Sequence, residues 1–194
     1  QINMSEIAVL GAGSWGTVLS DLLAKNNNNV KIWTRNKFIY EEILNLKTNA
    51  KFLPNIKLSN TICPTLDLSE CFGKNKIVII AIPSKGIKNI SKEIKKLHHS
   101  SNRYILASKG IDLDTFDTMS EILSKEANIS SNQIYVLSGP NLASEISENF
   151  SSASVLAGDD LEEAGKIANF FNSKTFKIFL SSDKKGVELA GALK

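Results

Sequence analysis

Three glycines in a six-residue stretch, GAGSWG at positions 11–16, have the spacing of a turn that binds phosphate groups. In such a turn Gly11 permits the tight bend, Gly13 lets the backbone approach a pyrophosphate, and Gly16 allows close packing of helix on strand. The helix that follows adds N–H donors and a partial positive charge at its amino end. Because a short apolar run precedes the stretch and an amphipathic one follows it, we expect this turn to hold a dinucleotide.

The end of the second apolar run carries an arginine where dinucleotide-binding proteins usually carry a carboxylate. An Asp or Glu there accepts hydrogen bonds from the adenine ribose of NAD, but this sequence reads WTRN at positions 33–36. The guanidinium of Arg35 suits a 2′-phosphate, which favours NADP. An ordinary solvated arginine explains the residue equally well, so the sequence leaves NADP and NAD both open as cofactors.

Two further positions follow apolar runs, where ligands bind beyond the carboxyl ends of strands. Pro83 comes after Ile77–Ile82 and is expected to border the nicotinamide, although a proline that only ends a strand fits equally. Lys109 follows the run YILA and can reach a phosphate or a carbonyl, with Gly110 relieving the crowding of the backbone. The alternative for Lys109 is a cation that is merely solvated.

A third strand end and the end of the chain supply the remaining candidates. Gly139 and Asn141, in the stretch SGPN, could present N–H groups to an anion, or they could form an ordinary strand-to-helix turn. Lys194 follows the small residues Ala190 and Gly191. A lysine on such a helix face can be partly desolvated, which lowers its pKa and favours proton transfer, whereas an exposed terminal lysine would do neither.

The elements that must position these residues alternate along the chain. Apolar runs without polar alternation are typical of strands buried on both faces of a parallel sheet, and the amphipathic stretches between them are typical of crossover helices. The pattern predicts a Rossmann-like α/β fold, with a doubly wound, mostly parallel sheet flanked by helices. The predicted strands are Ile7–Leu10, Val30–Trp33, Ile77–Ile82, Tyr104–Ala107, Ile134–Leu137, Ser154–Ala157 and Phe176–Leu180. The predicted helices are Trp15–Lys25, Lys37–Leu46, Lys85–Leu97, Phe116–Glu126, Asn141–Glu148 and Leu161–Asn172.

Composition narrows the class of protein. The chain has 194 residues, of which 42% are hydrophobic and 22% charged, with a net charge of +3. That charge is too small to indicate a nucleic-acid partner, and no apolar run approaches the roughly 20 residues that a membrane helix needs. The start of the chain lacks the pattern of a secretory signal, and two cysteines cannot staple a fold or form a structural zinc site alone. We therefore expect a cytoplasmic protein without a metal, a membrane segment or bound nucleic acid.

The stretch DKKGVELAGALK at 183–194 predicts a last helix, with Asp183 as its N-cap. The small residues near its end indicate close packing against another element. The helix pattern stops without a terminating signal. The sequence thus predicts an amino-terminal fragment, in which the helix that begins at 183 leads into a further segment outside this chain.

Together the motifs resemble the amino-terminal half of the bacterial, biosynthetic type of NAD(P)-dependent glycerol-3-phosphate dehydrogenase. The resemblance covers essentially the whole chain and rests on six short stretches in order: VLGAGSWGT, NAKFLP, IPSKGI, ASKGI, SGPNLASEI and GVELAGALK. It implies a dinucleotide-binding, Rossmann-like domain over residues 1–182 and the start of a helical substrate domain at 183–194, with the remainder outside this chain. It also implies a homodimer when full length, and NADP or NAD as cofactor. The implied reaction is reversible reduction of dihydroxyacetone phosphate to sn-glycerol 3-phosphate for glycerophospholipid synthesis.

The same resemblance implies roles for single residues. In the cofactor site, Ser14 and Trp15 lie at the pyrophosphate, Arg35 lies by the adenine ribose, and Ala143 touches the cofactor. Lys109 contacts cofactor and substrate, Gly139 and Asn141 line the substrate site, and Lys194 is the catalytic lysine that protonates the carbonyl oxygen. Asn141 replaces a hydroxyl residue usual in the family, and Lys85 replaces a more usual polar or apolar residue after Pro83. The family's partner aspartate for the lysine, and its arginine for the substrate phosphate, would lie beyond Lys194.

Two other functions fit part of the pattern. Another Rossmann reductase, acting on a small keto or hydroxy acid, would share the glycine turn but not ASKGI, SGPNLASEI and GALK as a set. A non-catalytic nucleotide-binding or redox-sensing module would need the turn but neither Lys109 nor Lys194. If the dehydrogenase reading holds, we expect the 194-residue piece alone to be inactive or nearly so, because half of the active site lies outside it.

Overall fold

A computed structural model describes residues 6–74 and 76–193 of the chain. These residues form one eight-stranded sheet in the order β3-β2-β1-β4-β5-β6-β7-β8, flanked by helices. The strands are β1 Glu6–Leu10, β2 Asn29–Trp33, β3 Ile62–Thr65, β4 Ile77–Ile80, β5 Arg103–Leu106, β6 Ile134–Ser138, β7 Ser152–Ala157 and β8 Phe176–Ser181. The helices are α1 Ser14–Lys25, α2 Lys37–Leu46, α3 Ile87–Leu97, α4 Met119–Ala127, α5 Ala143–Ser147, α6 Leu161–Phe171 and α7 Lys184–Ala192. Short 3₁₀ turns cover Leu68–Cys71, Ser84–Gly86 and Ser131–Gln133.

The central strands are buried on both faces, as their apolar runs predict. In β1, Ile7 and Val9 belong to one hydrophobic core and Ala8 and Leu10 to the other, because successive side chains point to opposite faces of a sheet. Helices therefore cover both faces, and the predicted doubly wound Rossmann-like fold is confirmed. Strand order reverses between β1 and β4, which creates the switch point where ligands bind in folds of this class.

One pairing departs from the expectation that each strand–helix–strand unit is parallel. β7 runs antiparallel to β6 and pairs with it from Val136–Ala157 to Ser138–Val155, whereas β8 is again parallel to β7. The connection from Ser138 to Ser152 contains only the five-residue helix α5. A parallel crossover must carry the chain back along the whole length of a strand, about 16 Å for the five residues of β6, and a five-residue helix rises only about 7.5 Å.

The sequence missed β3, whose residues are ICPT. This edge strand pairs in parallel with β2, contains Pro64 and leaves Cys63 exposed, so it lacks the apolar run that marks the central strands. Three helix starts or lengths were also wrong. α3 begins at Ile87 after a 3₁₀ turn, α4 begins at Met119, and α5 spans five residues only.

The helix starts that carry caps follow local sequence closely. The Asn36 side chain accepts from two amides at the start of α2, and Thr118 forms a capping box with Glu121 at the start of α4. Asp183 caps α7 by accepting from the Gly186 amide at 2.8 Å, as predicted. Among the described helices, none combines the length and the apolar character that crossing a bilayer requires.

Candidate active site

The stretch of residues 11–16, hereafter the phosphate turn, joins β1 to α1 in the conformation that its glycines predict. Gly11 has φ of +112°, and a Cβ on it would lie 2.6 Å from the carbonyl oxygen of Ala81. A Cβ on Gly16 would lie 1.9 Å from the carbonyl oxygen of Gly11. Both positions therefore exclude any side chain, one through conformation and contact, the other through contact alone.

Gly13 differs from its two neighbours because its missing side chain leaves open space. A Cβ built on Gly13 would meet no atom within 4 Å, and no side chain caps the amino end of α1. The first N–H groups of a helix lack partners within the helix and carry partial positive charge. The phosphate turn thus offers an uncapped helix end with free space beside it, which fits the pyrophosphate of a dinucleotide.

A cleft of about 400 Å³, here called the switch-point cleft, opens beside this turn at the carboxyl ends of β1, β4 and β5. Its other wall is the connection between β6 and α5. The cleft brings together seven of the residues that the sequence singled out, which are Gly13, Ser14, Trp15, Pro83, Lys109, Asn141 and Ala143. Residues from four separate segments therefore meet at one place, as expected for a ligand site at a switch point.

Lys109 lies in the wall of this cleft, and its Nζ donates to the carbonyl oxygen of Gly139 at 3.2 Å. The segment around it lies close against the residues that follow β4. The Ser108 hydroxyl donates to the Ile82 carbonyl at 2.6 Å, and a Cβ on Gly110, where φ is +145°, would lie 2.9 Å from Ser84 Cβ. Lys109 and Gly139 follow the neighbouring strands β5 and β6, which is why the ammonium group of Lys109 reaches Gly139.

Gly139 and Asn141 turn the chain from β6 towards α5. A Cβ on Gly139 would lie 2.6 Å from Asn141 Nδ2 and 2.8 Å from the Ala153 carbonyl oxygen, so this position also needs a glycine. The Asn141 amide nitrogen donates to the hydroxyl of Ser154 on β7. Asn141 borders the cleft, while its amide nitrogen is engaged with the neighbouring strand.

Arg35 lies beyond β2, outside the residues that line the switch-point cleft. Its guanidinium carbon sits 5.3 Å from the centre of the Trp33 ring, within range of a cation–π contact. The Trp33 ring is itself fixed, because its Nε1 donates to the Leu66 carbonyl at 3.2 Å. Arg35 is exposed and no carboxylate occupies positions 34–36, so the local charge after β2 is positive.

Lys194 lies outside the described residues. The helix that precedes it in the chain, α7, packs beside Lys109. A Cβ on Gly191 would lie 2.5 Å from Ser138 Oγ and 4.0 Å from Lys109 Cγ, so α7 passes against the end of β6 beside Lys109. The prediction of close packing at the small residues of this helix is confirmed at Gly191, which is buried.

Charged side chains fix α7 on the body of the protein, and we call these contacts the helix dock. Glu188 is 6% exposed and accepts from the backbone N–H of Ser120 at 2.9 Å and from its hydroxyl. Lys185 pairs with Glu121 at 3.3 Å, and Lys184 pairs with Asp159 at 2.8 Å. The Thr118 backbone N–H lowers the pKa of the Glu121 carboxyl below its usual range, and Lys185 lowers it further.

Sequence reasoning missed some residues of the cleft and its surroundings. Ile82 and Leu142 both line the cleft, and Leu142 is 60% exposed although apolar. The available signal for Leu142 was a large apolar residue just after the turn SGPN, at a strand end where ligands bind. Asn49, which contacts the phosphate turn from a distant loop, had no signal beyond its place in NAKFLP.

Comparison with known proteins gives consistent matches along the chain. Glycerol-3-phosphate dehydrogenase (NAD(P)+) from Fusobacterium nucleatum is 35% identical over 191 residues, which make up 98% of this chain and 57% of that protein. The same enzyme from Pseudomonas syringae pv. tomato is 36% identical over 189 residues, covering 97% of this chain and 54% of that protein. This chain therefore spans about half the length of the curated relatives it matches.

A solved structure and a family model agree with these relatives. The crystal structure of glycerol-3-phosphate dehydrogenase from Coxiella burnetii superposes with a TM-score of 0.89 at 28% identity, over 96% of this chain and 57% of that one. The model of the family described as NAD-dependent glycerol-3-phosphate dehydrogenase N-terminus matches residues 6–164. The glycine turn, the switch-point cleft and these matches lead to one conclusion: the chain belongs to the NAD-dependent glycerol-3-phosphate dehydrogenase family and corresponds to its amino-terminal part.

Proposed function

We propose that this chain is the cofactor-binding part of an enzyme that reversibly reduces dihydroxyacetone phosphate to sn-glycerol 3-phosphate with NADPH or NADH. The observation that carries the proposal is the switch-point cleft, in which an uncapped helix end and Lys109 face one cavity in a chain of this family. The product is the backbone precursor of glycerophospholipids. Neither cysteine forms a disulfide, which fits a cytoplasmic enzyme. A homodimer, implied by the resemblance, stays a prediction, as does a domain boundary near residue 182.

The chain's own groups account for how the dinucleotide is held. The N–H groups of the phosphate turn and of the α1 amino end bind the pyrophosphate, and Gly13 leaves the space for it. Pro83 and Ala143 border the reacting end, where Leu142 supplies apolar surface. The bound cofactor supplies the hydride for the substrate carbonyl.

Two lysines have separate tasks in this proposal. Lys109, beside Gly139, contributes positive charge where cofactor and substrate meet, which favours the oxyanion as charge develops on the substrate oxygen. Lys194 donates the proton to that oxygen and takes it back in the reverse direction. The position of α7 against Ser138 and Lys109 supports this assignment, because α7 leads directly to Lys194.

Arg35 supports a preference for NADPH over NADH. Its exposed guanidinium stands after β2 with no carboxylate at positions 34–36, where a 2′-phosphate would be attracted and a ribose 2′-hydroxyl would lack its usual acceptor. In an Arg35→Ala variant we expect the dissociation constant for NADPH to rise at least about tenfold, since charge-assisted hydrogen bonds are lost. Affinity for NADH should change little. Equal losses for the two cofactors would remove this argument.

The test of the function uses a protein in which this chain is joined to the carboxyl-terminal part that the curated relatives have. We expect this protein to oxidise NADPH or NADH with dihydroxyacetone phosphate, and Lys194→Ala to lower kcat at least about a hundredfold, within the range for general acid–base groups. The affinity for the cofactor should persist in Lys194→Ala. Lys96→Ala, which removes an exposed lysine of α3 that does not line the cleft, is the matched control and should keep full activity.

Two results would overturn the proposal. Cofactor binding without turnover of dihydroxyacetone phosphate by the joined protein would point to another substrate or to a non-catalytic module. Turnover that survives in Lys194→Ala would exclude the proton-transfer role. This chain alone should bind the cofactor and show little or no turnover.

A further inference from the structure

Asn49 lies in the loop between α2 and β3, 33 residues beyond the phosphate turn's Gly16, and is fully buried. Its amide nitrogen donates to the Ala12 carbonyl oxygen at 2.9 Å and to the Thr17 hydroxyl at 2.8 Å. Ala12 stands between the first two glycines of the turn, and Thr17 directly follows the third. One amide group therefore bonds to Ala12, before the start of α1, and to Thr17, within α1.

The chemistry of these contacts fixes the orientation of the Asn49 side chain. A backbone carbonyl only accepts, so the nitrogen of the amide must face Ala12. The Asn49 Oδ1 atom is buried and has no hydrogen-bond partner among the described residues. A buried oxygen without a partner lowers the stability of the fold. The favourable contribution of the Asn49 amide therefore comes from its two donated bonds.

The loop that carries Asn49 is itself tied to α2. The Glu42 carboxylate accepts from the Thr48 hydroxyl at 2.9 Å and from the Ala50 amide at 2.6 Å, one on each side of Asn49. The Asn49 carbonyl then accepts from the amides of Phe52 and Leu53, which closes the loop into a compact turn.

A second contact from this loop reaches the phosphate turn. The Ser14 hydroxyl donates to the Phe52 carbonyl oxygen at 3.2 Å. The loop of residues 48–53 is thus anchored on α2 at one side and meets the phosphate turn at Ala12 and Ser14 and helix α1 at Thr17.

We propose that Asn49 is a positioning residue for cofactor binding, which holds the backbone of the phosphate turn in the shape that receives the pyrophosphate. Glu42 acts indirectly, because its bonds to Thr48 and Ala50 fix the position of Asn49. The inference deepens the proposed function and rests on it, because it assumes that the turn binds a dinucleotide. A glycine-rich turn has the conformational freedom to leave this shape, and Asn49 supplies the constraint that the glycines cannot.

The first experiment measures the dissociation constant for NADPH, from the fluorescence of its reduced nicotinamide, with this chain and its variants. Asn49→Leu keeps the size of the side chain and removes both bonds. We expect its affinity to fall about tenfold, the loss typical of a broken buried hydrogen-bond pair. Glu42→Ala should lose about threefold and Glu42→Gln less, because glutamine keeps an acceptor oxygen. Unchanged affinity in Asn49→Leu would overturn the inference.

Asn102→Leu is the matched control. Asn102 is also a fully buried asparagine, but its Oδ1 accepts from the Lys76 amide at the opposite end of the sheet, before β5. We expect it to lower the unfolding temperature, as Asn49→Leu does, and to leave the affinity for NADPH unchanged. Equal losses of affinity in the two variants would show that Asn49 acts through general stability, and would overturn the positioning role.

A second measurement separates this inference from the proposed function. Hydrogen exchange on the protein without cofactor follows the amides of Gly11 and Thr17, which donate to Trp33 and Gly13 within and beside the turn. Asn49→Leu should speed their exchange at least about tenfold, and Asn102→Leu should not. If the unmodified chain binds no NADPH, the proposed function fails, and the exchange result still decides whether Asn49 holds the turn. Unchanged exchange in Asn49→Leu would reject that role.

Discussion

The phosphate turn, which lines the switch-point cleft, and the helix dock, which holds α7 beside Lys109, are positioned by opposite means. The turn, GAGSWG, has no ionisable side chain, and its glycines are required because a Cβ would strike backbone atoms or block open space. The helix dock depends on charged side chains, as in the pairing of Glu188 with Ser120, 68 positions earlier in the chain. Recognition by backbone leaves a compact local signature, whereas positioning by paired side chains is spread over distant positions.

Because of this difference, substitutions in the two regions should destabilise the protein by different mechanisms. At the turn, most added atoms collide with fixed backbone, so substitutions there should act through steric strain. At the dock, substitutions leave polar groups unpaired or remove charges, so their effects should vary with burial and pH.

The largest expected effect is that of Gly16→Ala in the phosphate turn. The added Cβ would lie 1.9 Å from the Gly11 carbonyl oxygen, and backbone atoms of two packed elements cannot both move away. We expect the free energy of unfolding to fall by at least about 3 kcal/mol, at the upper end for overpacking. Urea unfolding followed by circular dichroism measures this loss.

Gly13→Ala is the matched control in the same turn. Its Cβ would meet no atom within 4 Å, and the backbone at Gly13 is extended, so the protein should lose less than about 1 kcal/mol of stability. Binding of NADPH should nevertheless weaken, because the new methyl group occupies space proposed for the pyrophosphate. A severe loss of stability in Gly13→Ala would contradict the distinction between these two glycines.

The next effect in size is that of Glu188→Ala in the helix dock. The substitution leaves the Ser120 amide and hydroxyl without their acceptor, at the amino end of α4 where a carboxylate is favoured. We expect a loss of about 1–3 kcal/mol in the free energy of unfolding. Relative to the unmodified protein, hydrogen exchange should speed up more at the amides of α7 than at those of the central strands.

Lys185→Ala is the control for Glu188→Ala. Lys185 is 68% exposed at its side chain and forms an exposed ion pair with Glu121, so its loss should cost less than about 1 kcal/mol. If the two substitutions destabilised the protein equally, burial would not be what gives the dock its strength.

Prediction from sequence succeeded where the signal is local. The phosphate turn, the buried strands and the strand ends around Lys109 and Gly139 each show in a few adjacent residues, and the structure gathers most of them in one cleft. Asp183 was identified as a cap because capping acts within one helical turn.

Prediction failed where the cause is not local. β3 is an edge strand whose pairing with β2 forms without an apolar run, and the direction of β7 depends on how short α5 is in three dimensions. The contacts of Asn49 and Glu188 link positions 37 and 68 residues apart, and no pattern in one sequence connects such positions. These residues became visible only through their burial and partners.

The smallest expected effect is the response of the dock to acid. Because the Thr118 N–H and then Lys185 lower the pKa of Glu121 in the folded protein, its carboxylate stabilises the fold above the ordinary pKa of 4.5. That contribution is lost as the pH falls from 4.5 through the lowered folded value. Since the Glu121 side chain is 38% exposed, solvent screening should keep the effect below about 1 kcal/mol.

Glu121→Gln isolates this contribution, because glutamine can keep the capping box with Thr118 but does not titrate. Between pH 6 and pH 3, urea unfolding should show a larger loss of stability in the unmodified protein than in Glu121→Gln. Hydrogen-exchange protection of α7 should follow the same difference, while the phosphate turn, which has no ionisable side chain, should not distinguish the two proteins. Equal acid sensitivity of the two proteins would mean that the charge of the Glu121 carboxylate contributes nothing to the stability of the dock.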